Sequence, residues 1–87
     1  MTPAARDDWW KRQFSRLLAE EIKGRAPATL ENKWLLLASR TRPTSRWQVT
    51  FDVPDNIYHL LDDADVRTKS AVYASTQWAA AREWLHG

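Results

Sequence analysis

The residues best suited to chemistry in this chain are cations and a tryptophan that share one side of the first predicted helix. At about 100° per residue, Arg12, Arg16 and Lys23 fall together opposite the apolar side, with Trp9 among them. An exposed indole ringed by cations suits stacking on nucleic-acid bases or anchoring in a pocket of a protein partner. The alternative is an ordinary amphipathic helix with a solvated basic side and with Trp9 packed on the edge of the domain.

A second basic cluster, Arg40, Arg42 and Arg46, is predicted at the tip of a hairpin that pairs residues 33–40 with residues 47–53. Arginine pairs in a fork with carboxylate or phosphate, although a charged tip is also common on soluble hairpins. We therefore predict that the partner-binding residues are Trp9, Arg12, Arg16, Arg40, Arg42 and Arg46.

The segment from Asp52 to Asp65 is acidic and contains no Lys or Arg. Asp55, Asp62, Asp63 and Asp65 form a secondary acidic patch that could face a basic partner or the protein's own arginines. The Asp/Asn alternation, central Gly and terminal Glu of a calcium loop are missing. We predict no metal and no cofactor.

Charge divides unevenly along the chain. Residues 1–50 hold ten Lys and Arg against five Asp and Glu, whereas residues 51–87 hold three against six, and the net charge is +2. A basic half suits nucleic acid or an acidic partner, but opposite halves can also attract each other within one domain.

Groups that could support catalysis are scarce. His59 lies in the acidic segment and His86 next to the C-terminal residue. The sequence has two Gly and no Cys, so it offers no glycine-rich phosphate loop, disulfide scaffold or thiol nucleophile. We predict that the protein is not an enzyme.

The length of 87 residues predicts a single domain, residues 1–87, with a small core that six Trp help to enlarge. No segment reads as a membrane span, and the start of the chain does not resemble a signal peptide. Without Cys, the chain fits a reducing compartment, and we predict a cytoplasmic location.

The clearest periodicity in the chain has a period of two. Trp47, Val49, Phe51 and Val53 alternate with polar residues and are followed by Pro54. Alternation places these side chains on one face, which predicts a half-buried strand at the centre of the fold.

The first helix is predicted between Thr2, as N-cap ahead of Pro3, and Gly24, as its stop. A short helical turn is predicted after Pro54. The apolar side of the first helix should pack on the strand; its residues are Trp10, Phe14, Leu17, Leu18 and Ile22.

Residues 33–40 form an apolar run that admits two interpretations. We favour a strand paired in a hairpin with residues 47–53, because a strand without a neighbour cannot satisfy its backbone groups. A helix from Thr29 would instead align Leu30, Trp34, Leu37 and Ala38.

Residues 69–74 are also ambiguous. We favour a third strand followed by a helix capped by Ser75 or Thr76, because these side chains compete for backbone hydrogen bonds in mid-helix. The alternative is one helix capped by Asp65, with an apolar stripe of Ala71, Ala74, Trp78, Ala81 and Leu85.

The predicted fold class is therefore α+β: an N-terminal amphipathic helix, a three-stranded antiparallel sheet and a C-terminal helix. This order of elements is similar to that of double-stranded-RNA-binding domains. The resemblance would imply a basic pair at the start of the last helix, where this sequence has Gln77 and Trp78. The alternative is a mostly α fold with one ribbon strand. In that case residues 47–54 and 69–71 resemble the ribbon and second-helix start of ribbon-helix-helix repressors, with a shorter interval between them.

The stretch from Ala71 to Trp84 resembles the strand, capping threonine and alanine-bearing helix of small phage inhibitors of host machines and of phage integrase arm-binding domains. With the Trp content and the separated charges, it leads us to predict a small non-enzymatic binding protein. We expect an inhibitor or regulator, carried by a phage or another mobile element, that binds a larger host protein or nucleoprotein complex. The alternative is direct binding of DNA or RNA by the basic helix and the arginine-bearing hairpin.

Overall fold

The structure is a computed structural model that describes residues 2–87. These residues contain no β-strand, so the predicted three-stranded sheet and the α+β class are wrong, and the observed fold is all-helical. None of the helices in this range has both the length and the apolar character needed to cross a membrane. The helices are α1 (Pro3–Ile22), α2 (Pro27–Ser39), α3 (Asp55–Asp62), α4 (Ala64–Lys69) and α5 (Ala71–His86).

Helix α1 begins and ends as predicted. The Thr2 hydroxyl accepts a hydrogen bond from a first-turn N–H at 3.1 Å, and Pro3 occupies the first helical position. Gly24 follows the helix with a φ of +114°, a left-handed conformation that favours glycine. The N–H of Arg25 then donates to the carbonyl of Glu20, which completes a Schellman C-cap.

Residues 33–39 belong to helix α2, so the strand that we favoured there is wrong. Pro27 begins the helix, and the alternative stripe of Leu30, Trp34, Leu37 and Ala38 is buried along its length. A helix satisfies its own backbone groups internally, and it therefore needs no neighbouring strand.

The alternating segment at residues 47–53 is a loop segment rather than a strand. Val49 is buried, and Phe51 and Val53 pack partly buried against the core, as the alternation indicated. Trp47, in contrast, is 45% exposed and does not belong to the core.

The backbone N–H groups of this loop form separate hydrogen bonds with groups elsewhere in the chain. The N–H of Val49 donates to the carbonyl of Arg40 at 3.0 Å, and the N–H of Thr50 donates to the Asp7 carboxylate at 2.8 Å. These contacts replace a strand ladder, which is why period-two alternation did not require a sheet.

The last third of the chain is two helices, so the third strand is also wrong. Ser70 separates α4 from α5, and its hydroxyl caps α5 by accepting a hydrogen bond from the N–H of Tyr73 at 3.2 Å. Thr76 is tolerated in mid-helix because its hydroxyl donates to the carbonyl of Val72 at 3.0 Å. The ribbon and the sheet required by the resemblances are likewise absent from residues 2–87.

The predicted turn after Pro54 is confirmed with changed surroundings, and the apolar stripe of the alternative last helix is confirmed in part. The turn after Pro54 is α3, and its apolar side packs against other helices instead of a sheet; Ile57, Leu60 and Leu61 are all buried. On α5, Ala74 and Ala81 are buried, whereas Ala71 is exposed because the helix starts there.

An aromatic cluster occupies the centre of the core. The Phe14 ring lies 5.4 Å from Trp10, 5.4 Å from Trp34 and 5.5 Å from Trp84, measured between ring centroids. Phe51 covers the edge of this cluster, 5.4 Å from Trp10. The apolar side of α1 thus packs on α2 and α5 instead of on a central strand.

Candidate partner-binding face

The predicted cations of α1 lie at the surface, beside a shallow groove of about 920 Å³ between α1 and α5. Arg12 and Arg16 are both exposed, because the opposite side of α1 is buried in the core. The other cations that line the groove are Lys11, Lys23 and Arg82, and its apolar floor includes Leu18, Ile22 and Leu85.

The cations of this groove have no carboxylate within 4.0 Å in the described chain. The two ion pairs among residues 2–87 lie elsewhere and join Arg25 to Glu20 and Arg67 to Glu21. Asp8 is the acidic residue of the groove lining. The groove therefore carries positive charge that a partner's anionic groups can neutralise.

Trp9 does not stand exposed among the cations of α1. It is half-buried and packs against the core, and the Cζ atom of Arg40 lies 4.7 Å from the centroid of its ring. The fold thus brings Trp9 and Arg40 together, whereas Arg12 lines the separate groove toward α5.

Arg42 and Arg46 lie on the loop between α2 and α3, not on a hairpin tip as predicted. Both are exposed. The Arg46 carbonyl accepts a hydrogen bond from Nη1 of Arg6 at 2.9 Å, which ties this loop to the start of α1.

A small cleft forms where α1, the end of α2 and this loop meet. It measures about 360 Å³, and we name it the Trp–Arg cleft; its lining residues are Arg6, Trp9, Arg40, Trp47 and Val49. No sequence pattern singled out Arg6, and the period-two alternation placed Trp47 in the core. The three-residue spacing of Arg6 and Trp9 could have shown that they share one side of α1.

The residues of the predicted acidic patch differ in exposure and in hydrogen bonding. Asp55, Asp62 and Asp65 are exposed. Asp63 is half-buried and accepts hydrogen bonds from the Tyr73 hydroxyl at 2.6 Å and from Nε2 of Gln77 at 3.2 Å. Its carboxylate therefore joins the start of α4 to α5, which leaves less of it available to a partner.

Three effects raise the pKa of Tyr73 above its ordinary value of 10.0. The largest is the hydrogen bond that its hydroxyl donates to Asp63, and the others are partial desolvation and the nearby negative charge of Asp63. The folded state thus holds this proton at pH values where the unfolded state has lost it. The resulting stabilisation should be present below the unfolded pKa and should be lost as pH rises through the raised one.

Substituting Asp63→Asn should lower the pKa of Tyr73 toward 10.0, because it replaces the charged acceptor that stabilises the phenol with a neutral amide. A ¹³Cζ NMR titration of tyrosine-labelled protein measures this directly, with Tyr58→Phe used to assign the signal. Identical titration curves for the native protein and the Asn variant would contradict the assignment of the shift to Asp63.

A buried ionic cluster lies at the contact of α1, α2, α4 and α5, and no sequence pattern selected it. Nε and Nη2 of Arg67 donate to the two carboxylate oxygens of Glu21 at 2.8 and 3.1 Å, and both side chains are 0% exposed. The indole N–H groups of Trp34 and Trp78 donate to the same carboxylate, and Nη1 of Arg67 donates to Gln77.

One signal of this cluster was present in the sequence. Glu21 falls on the same side of α1 as Phe14 and Leu17, and a carboxylate on an apolar stripe needs a partner. Since its oxygens accept from three side chains and are sealed from solvent, this carboxylate holds helices together and offers no surface to a substrate.

The surface of this protein therefore offers cations beside an apolar floor, an arrangement that can bind an anionic partner. No protein-family model, curated protein or solved structure matches the chain.

Proposed function

We propose that this protein is a small non-enzymatic binding protein that holds an acidic region of a larger protein or nucleoprotein complex. Its contact surface, the positive face, comprises Arg12 and Arg16 on α1 with Arg40, Arg42 and Arg46 on the loop. The observation that carries this proposal is that these five arginines take no part in the ion pairs of the described chain.

Charge and apolar area occur together on this face. Arg12 and Arg16 flank a groove whose floor contains Leu18 and Ile22. In protein interfaces the charges guide association and set specificity, whereas buried apolar groups supply much of the affinity. The combination suits an acidic amphipathic segment, such as a helix with one apolar side.

The mode of action that we propose is occupation of a surface. A module of this size that binds without catalysis inhibits or regulates its target by covering a site that another molecule needs. The cytoplasmic location and the phage or mobile-element origin predicted above are part of this proposal.

Direct binding of nucleic acid is the second candidate function. Trp47 favours it, because this indole is 45% exposed and lies beside Arg6, whose Cζ atom is 5.7 Å from the ring centroid. An exposed indole next to cations can stack on a base while the cations contact phosphates.

Neutralising Arg12 and Arg16 together should weaken partner capture by roughly tenfold or more, because unpaired cations at an interface contribute strongly to binding. The experiment is affinity capture from bacterial lysate with Arg12→Gln/Arg16→Gln, with and without nuclease, read by mass spectrometry. The melting temperature should not fall, since the change removes a repulsive pair four residues apart on one helix.

The matched control is Arg25→Gln/Lys69→Gln, which removes the same charge from exposed positions outside the face. It should capture the partner as the native protein does. Equal capture by both double variants would contradict the proposed face, and capture abolished by nuclease would favour the nucleic-acid function.

A further inference from the structure

The Trp–Arg cleft holds two guanidinium groups that the protein does not pair. Arg6 and Arg40 have no carboxylate within 4.0 Å in residues 2–87. The Nε atom of each is buried and has no hydrogen-bond partner in this range. A charged donor left without an acceptor is costly, so these two arginines keep hydrogen-bonding capacity that an anionic ligand can use.

We propose that the Trp–Arg cleft is a carboxylate-binding site that receives a Glu or Asp side chain from an acidic segment of the protein partner. This inference rests on the proposed function and names the chemistry that one part of the positive face recognises. Guanidinium and carboxylate are both planar and can form two parallel hydrogen bonds, which makes the pairing strong and directional.

The two guanidinium groups are held in place before any ligand binds. Arg40 lies over the ring of Trp9, and Arg6 lies over the ring of Trp47. Nη1 of Arg6 also donates to the carbonyl of Arg46. Stacking and hydrogen bonding restrict these long side chains, so less conformational entropy is lost when an anion binds.

The hydrogen bonds from Thr50 to Asp7 hold the loop against α1 at the edge of the cleft. The walls of the cleft therefore come from elements that are already joined in the free protein. Its volume of about 360 Å³ accommodates a side chain, and Val49 in its lining supplies an apolar contact for the stem of a glutamate.

The stacking also favours a peptide over a nucleic acid as the ligand. One face of each indole already carries a guanidinium group, and Trp9 is half-buried. Single-stranded nucleic acids bind to successive open aromatic faces, and this cleft does not present two of them. The indoles here orient cations instead.

The experiment is an NMR titration that observes the arginine Nε–Hε signals of ¹⁵N-labelled protein. The probe is the peptide acetyl-Leu-Glu-Leu-Glu-Leu-amide, and its neutral counterpart has Gln in place of Glu. We expect the Arg6 and Arg40 signals to shift with the Glu peptide. The Gln peptide should bind about tenfold more weakly or worse, because it lacks the charge-assisted hydrogen bonds.

Two variants and one control test the site itself. Arg40→Gln and, as a second variant, Arg6→Gln should each weaken binding of the Glu peptide by about tenfold, provided that the amide spectrum shows a folded protein. Lys69→Gln removes one positive charge from an exposed position outside the positive face and should change the affinity by less than about twofold.

Equal affinity for the two peptides, or an equal loss in Lys69→Gln, would overturn the proposal. So would shifts of the Arg6 and Arg40 signals by an oligothymidylate but not by the Glu peptide. If the native protein captures a partner from lysate but ignores the Glu peptide, this inference fails and the proposed function stands. If the Glu peptide binds as described but no partner is captured, the proposed function fails instead.

Discussion

Replacing Glu21 with Gln should destabilise the protein by about 3–5 kcal/mol, because the buried Arg67 guanidinium would lose its only carboxylate. Gln has nearly the same shape as Glu, so the change tests the charge and not the packing. The indole N–H groups of Trp34 and Trp78 would also lose a charged acceptor. Urea unfolding followed by circular dichroism at 222 nm measures the difference in the free energy of unfolding.

The neighbouring residue provides a matched control. Glu20 pairs with Arg25 at 3.5 Å, and this pair is largely in contact with solvent. Glu20→Gln should therefore cost about 0–1 kcal/mol. Equal losses for the two adjacent variants would show that the Glu21–Arg67 pair is not sealed from water as the structure describes.

A double variant distinguishes the interaction energy of Glu21 with Arg67 from the cost of leaving one buried charge unpaired. Arg67→Met by itself should be as damaging as Glu21→Gln, since it leaves a buried carboxylate without its cation. Combining Glu21→Gln with Arg67→Met should cost less than the sum of the two single changes, because no uncompensated charge remains. Additive losses would contradict a direct interaction.

Replacing Phe14 with Ala should cost about 3–5 kcal/mol of unfolding free energy, because it opens a cavity among large rings. Phe14 is 0% exposed and contacts Trp10, Trp34 and Trp84. These rings belong to three different helices and cannot all move into the space. The measurement is again urea unfolding, with the native value as reference.

Phe51→Ala is the comparison that distinguishes the helical fold from a sheet. Phe51 is only partly buried and covers the edge of the aromatic cluster, so its loss should cost about 1–2 kcal/mol. If residues 47–53 were a central strand, Phe51 would be the more damaging site. A larger loss at Phe51 than at Phe14 would therefore contradict the structure.

Local patterns in the sequence predicted α1 and α3 correctly. The capping Thr2, the Pro3 that follows it and the stop at Gly24 act on backbone groups within a few residues. The apolar stripe of α1 likewise depends on spacing alone. Such features can be predicted from the sequence because the interactions that define them form within one or two helical turns.

Two of the three segments predicted as strands proved to be helices. Residues 33–40 and 69–74 each fit a helix and a strand. For residues 69–74 the choice rested on a helix cap at Ser75 or Thr76, and for residues 33–40 it rested on finding a hydrogen-bonding neighbour for residues 47–53. That neighbour proved to be the Asp7 carboxylate, 43 residues away from Thr50 in sequence, together with the carbonyl of Arg40. Nothing near the segment in sequence shows such a partner.

By itself, the sequence determined where helix α1 begins and ends, which side of it is apolar, and that most of the arginines lie in the first half of the chain. Only the tertiary structure decided that Glu21 would meet Arg67, 46 residues later, and that Arg6 and Trp47 would complete a cleft with Trp9 and Arg40. The physical reason is the range of the interactions. Helix caps and apolar stripes follow from neighbouring residues, whereas a buried ion pair or a cleft depends on how whole helices pack.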